Sequence, residues 1–133
     1  MVKNTLCLLL IAAASPALAQ RVNGELACTP TKTDFIFDCT IRLSRDRQPL
    51  SGVQVTVGAD MPSMPMAHNV KPVKAKAGKA PGEYAAKLDL EMLGEWAVKL
   101  RLGGPVKDQL ILLYEFDEKG ATPVRRADKL PRK

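Results

Sequence analysis

Met61, Met64, Met66 and His68 lie close together in the stretch Asp60-Met61-Pro62-Ser63-Met64-Pro65-Met66-Ala67-His68-Asn69-Val70. It holds three of the five methionines and the only histidine. Thioethers are neutral, soft and polarizable, so they select Cu(I) over Zn or Mg, and one imidazole adds a stronger nitrogen donor. The expected ion is Cu(I), with Ag(I) as its mimic. Cu(II) prefers a tetragonal nitrogen and oxygen set, for which the segment offers little beyond His68, Asp60, Asn69 and backbone. Met64, Met66 and His68 are spaced by two, so an extended backbone points all three to one side. Pro62 and Pro65 favour a polyproline-like path of three residues per turn, which brings Met61 near Met64. All four side chains are therefore expected metal ligands. The competing reading is that methionines fill gaps in cores and form apolar binding surfaces with no metal involved. Trp96 offers a ring face to a cation, but a tryptophan alternating with Val98 and Leu100 reads first as core.

Other chemistry is sparse. A single histidine and no free cysteine nucleophile leave little for acid, base or nucleophilic catalysis, so no enzymatic activity is expected. Cys7 falls within an apolar leader, which leaves Cys28 and Cys39 as an even pair, and their expected state is a disulfide. Closing a loop of about a dozen residues contributes about 3 kcal/mol on the chain-entropy account. A two-thiolate metal site is the alternative for this pair.

Residues 1–19 read as a cleaved secretory signal: Lys3 precedes the apolar run Leu6 to Ala14, and Ala17-Leu18-Ala19 supplies a small-x-small cleavage site before Gln20. A periplasmic or secreted protein, soluble after cleavage, is expected. Residues 20–116 form one domain, and 117–133 a flexible basic tail containing Lys119, Arg125, Arg126, Lys129, Arg132 and Lys133. The formal net charge is +6, to which Lys3 contributes one. Export and the lack of aromatics among the tail's basic residues argue against nucleic acid as a partner.

Period-two hydrophobic patterning runs through the domain and indicates half-buried strands. Phe35, Phe37, Cys39, Ile41 and Leu43 face one way and Ile36, Asp38, Thr40 and Arg42 the other. Leu26 and Cys28 form a short preceding strand. Ser44 to Ser51 reads as a loop, and Val53, Val55 and Val57 as a third strand. Residues 60–72 hold Pro62, Pro65 and Pro72 and are expected to be a loop or an edge. Tyr84, Ala86, Leu88 and Leu90 alternate as a strand, with a helix over 85–93 as the competing reading. Trp96 to Leu102 and Gln109 to Phe116 complete the pattern. The expected fold is all-β: an immunoglobulin-like antiparallel β-sandwich of about seven strands, with a small barrel as the alternative.

Met61 to His68, Pro81-Gly82-Glu83-Tyr84 and Gly94-Glu95-Trp96 occur in an order that resembles the YtkA-like and FixH-like family of small exported domains. In that family a Met-Pro-x-Met-Pro-Met-x-His stretch precedes a Pro-Gly-x-Tyr turn and a Gly-x-Trp strand. The resemblance covers roughly Leu50 to Phe116, and the methionine-rich loop is also similar to that of CopC-like copper carriers. It implies an immunoglobulin-like sandwich and copper handling in oxidase maturation or metal efflux. The implied partner is a copper-donating or copper-accepting protein, such as a membrane efflux or oxidase complex. A metal-free docking module using the Met-Pro loop is the alternative function.

Overall fold

The computed structural model describes residues 21–64 and 69–125. The expected leader, Met66, His68 and the last eight residues of the expected tail lie outside them. The described residues form ten strands: β1 (Val22–Pro30), β2 (Ile36–Arg45), β3 (Gln48–Pro49), β4 (Gln54–Asp60), β5 (Asn69–Lys74), β6 (Lys76–Ala77), β7 (Glu83–Asp89), β8 (Gly94–Gly103), β9 (Asp108–Asp117) and β10 (Gly120–Pro123). One sheet runs β1-β2-β7-β6, with β3 also paired to β2, and the other runs β10-β9-β8-β4-β5; every pairing is antiparallel. The two sheets make the expected sandwich rather than a barrel.

Alternation places the core. On β2, Phe37, Cys39, Ile41 and Leu43 are buried, and on β4 and β8 so are Val55, Val57, Trp96, Val98, Leu100 and Leu102. These inner faces meet where Phe37 of one sheet packs edge-on against Phe116 of the other, ring centroids 5.1 Å apart, a geometry the ring quadrupoles favour. Phe35 departs from the expected face. It takes φ 65° in the turn before β2 and is 41% exposed, because the left-handed residue breaks the alternation that would have turned it inward. The stretch from 83 to 89 is a strand, as read, and not a helix.

Two buried tyrosines tie the layers to their connections. The Tyr84 hydroxyl donates to the Leu50 carbonyl at 2.9 Å and accepts from the Val53 amide at 3.3 Å, holding the crossing from β3 to β4. The Tyr114 hydroxyl accepts from the Leu26 amide at 2.9 Å, satisfying a donor on the open edge of β1. β5 and β6 are nearly continuous: the Ala75 amide still bonds the Val55 carbonyl at 2.9 Å, and the next residues pair with β7, so the chain changes sheets there.

Ordered structure also runs past Phe116, the expected boundary of the domain. The Asp117 carboxylate accepts from the Lys119 and Gly120 amides at 2.8 and 3.1 Å, closing a tight turn. β10 then pairs back along β9. Gly120 has φ 143°, and a Cβ there would stand 2.5 Å from the Cys28 carbonyl oxygen, so the turn requires glycine and seats β10 beside β1.

Candidate functional site

The methionine segment connects β4 to β5, and the pair Asp60–Asn69 brackets it. Its entry is a turn: the Met64 amide donates to the Met61 carbonyl at 3.0 Å. The polyproline-like path expected from Pro62 is therefore absent between these two residues. The turn gives their side chains opposite fates. Met61 is 4% exposed and belongs to the core, while Met64 is 36% exposed. Met61 sends its methyl toward Gly94, where a Cβ would come within 3.1 Å of Met61 Cε. Beside the turn, Lys99 forms an ion pair with Asp60. Of the four expected ligands, then, the structure directs Met61 inward and Met64 outward; Met66 and His68 fall outside the described residues.

Trp96 is fully buried, and its indole N–H donates to the Met92 carbonyl at 3.2 Å. It is a core residue. Among the described residues, no group of three or more His, Cys, Asp or Glu side chains is placed to hold a metal ion.

Cys28 and Cys39 stand directly opposite each other on β1 and β2 and are joined, with S–S 2.04 Å and Cα–Cα 4.1 Å. So short a Cα separation marks a non-hydrogen-bonded cross-strand pair, where side chains approach most closely. The bond uses both thiols, so the disulfide reading holds over the two-thiolate site. A disulfide persists in oxidising compartments, which accords with export. Among the described residues, no helix is long and apolar enough to cross a membrane.

A family model described as YtkA-like matches residues 22–101. The chain belongs to the YtkA-like family. The YtkA-like match starts at β1 and ends within β8, so it takes in both cysteines and the whole methionine segment, and it begins earlier than the Leu50 expected from motifs alone. It does not extend to the FixH-like or CopC-like likenesses. No curated protein and no solved structure matches the chain.

Sequence reasoning did not single out Tyr84 or Tyr114 as cross-links between segments. Both occupy inward positions of alternating strands, and a buried tyrosine in such a position needs a partner for its hydroxyl. That requirement was the available signal.

Proposed function

We propose that this YtkA-like protein is an exported Cu(I)-binding carrier. It works in the periplasm, exchanging the ion with a protein partner in oxidase maturation or copper efflux. The observation that supports it most directly is the outward Met64, presented by a turn whose other end, Met61, is anchored in the core. Met64 opens the run that continues to Met66 and His68, two thioethers and an imidazole suited to Cu(I) or its mimic Ag(I). Met61 is assigned here as the root of the loop rather than as a ligand. Neutral donors that start at the exposed Met64 suit transfer by ligand exchange, and the protein acts by binding, without catalysis.

The test is anaerobic titration with Cu(I) against a colorimetric Cu(I) chelator. The protein should compete for one ion per chain, Met61→Leu should compete equally, and replacing Met64, Met66 and His68 together by alanine should abolish competition. A wild-type protein that never competes would sink the carrier reading. It would leave the second reading, favoured by the exposed apolar Met64 itself: a docking loop for a membrane complex, whose partner binding would ignore Cu(I) chelators.

A further inference from the structure

On the outer face of the β4–β8–β9 sheet, Thr56, Gly58, Pro72, Lys99, Arg101 and Gln109 surround a depression of about 120 Å³. Thr56 and Arg101 are register partners, as are Arg101 and Gln109, and Gly58 and Lys99 form the adjoining pair. The walls therefore carry a guanidinium, an ammonium, a hydroxyl and a carboxamide, and no carboxylate lines the depression. Lys99 already pairs with Asp60, but an ammonium has three protons to donate. Arg101 has no ion-pair partner among the described residues.

Gly58 forms the floor. Glycine inside a strand costs stability and leaves nothing to pack, so it calls for a local reason. Positive φ is not that reason, since Gly58 is absent from the left-handed positions. Crowding is not either: a Cβ there would meet only Pro72 Cγ, at 3.9 Å. The register shifts at this residue: between Val57 and Ala59, Gly58 alone stands opposite Lys71 and Pro72, so the one extra residue is on β5. Besides lying in this bulge, the glycine leaves the depression open beside two cations.

We propose that this depression binds an oxyanion, a phosphate or carboxylate group, held by Arg101 and Lys99 with Thr56 and Gln109 as neutral hydrogen-bond partners and Gly58 as the open floor. A planar guanidinium matches two oxygens of such a group at once, which gives it a fixed orientation. No methionine lines the depression, although Lys99 also reaches Asp60 at the start of the methionine segment.

The experiment is titration of the 15N-labelled protein with inorganic phosphate and, separately, with acetate, at constant ionic strength because exposed charges are screened by salt. Saturable amide shifts centred on Thr56, Gly58 and Arg101 are expected, and the anion that saturates at lower concentration identifies the group. Gly58→Val fills the floor with a side chain that strands favour and whose Cβ meets nothing closer than Pro72 Cγ at 3.9 Å, so the fold should survive and binding should be lost. Arg101→Gln should weaken binding by about tenfold or more, the equivalent of one charged hydrogen bond. Shifts that rise linearly without saturating, or saturable shifts that Gly58→Val and Arg101→Gln leave unchanged, would overturn the proposal.

Discussion

Met61 and Gly94 meet where β4 ends and β8 begins, the methionine methyl lying 3.1 Å from where a Cβ on residue 94 would stand. The first methionine of the Met-Pro segment is thereby packed into the core, and the loop that leaves β4 starts from a fixed point. The structural consequence is a division within one short motif, with Met61 anchored in the core and Met64 exposed.

This division predicts opposite responses to truncation. Met61→Ala should lower unfolding free energy by about 2–4 kcal/mol, the range for deleting a buried aliphatic-sized side chain and leaving a cavity. Met64→Ala should change it by no more than about 0.5 kcal/mol, as at other exposed positions. Urea unfolding of both variants measures this directly. Equal effects would show that Met61 is not the root of the loop.

The cross-strand disulfide should matter to stability because the domain is small. Replacing Cys28 and Cys39 together, or reducing them, removes a constraint on the unfolded chain worth about 3 kcal/mol. The residues lie 11 apart in sequence. Thermal unfolding with and without a thiol reductant should show a clear drop in midpoint, and the same reductant should leave the midpoint of the double replacement unchanged.

Where strict alternation meets a buried face, the fold was legible in the sequence. Val53 to Val57 and Trp96 to Leu102 are read correctly because every second residue is large and apolar. β1 was harder: its inward set is Val22, Gly24, Leu26 and Cys28, and a glycine contributes nothing to a hydrophobic pattern, although its position faces Leu110, Leu43 and Leu100. Phe35 misled because alternation does not register a left-handed residue. β10 was masked by the charges around it, which read as a solvated tail. The Asp117-to-Gly120 spacing was the turn signal that would have recovered it. For the methionines, composition announced unusual chemistry, but only burial separates Met61 from Met64.

Tyr114 supplies a test of how the open edge of β1 is held. Tyr114→Phe removes the acceptor for the Leu26 amide and leaves a buried backbone donor without its partner, which should cost about 1–3 kcal/mol. Amide exchange at Leu26 should accelerate more than at residues central to β8. Uniform acceleration across the domain would mean that only global stability had changed and that the hydroxyl does not fasten this edge locally.

Gly120→Ala tests the seating of β10. The new Cβ would meet the Cys28 carbonyl at 2.5 Å on a backbone with φ 143°, a conformation that is costly for a residue with a side chain. The cheapest relief is for β10 to move away from β1, since its four residues pair only with β9. Exchange should therefore accelerate selectively at Thr122, whose pair with Glu115 is in hydrogen-bonded register, and at the Val124 amide, which bonds the Leu113 carbonyl at 2.9 Å. The β4–β8 ladder should remain protected. If those two amides kept their wild-type protection in the variant, β10 would not be held by the glycine contact, and its place in the sheet would rest on pairing with β9 alone.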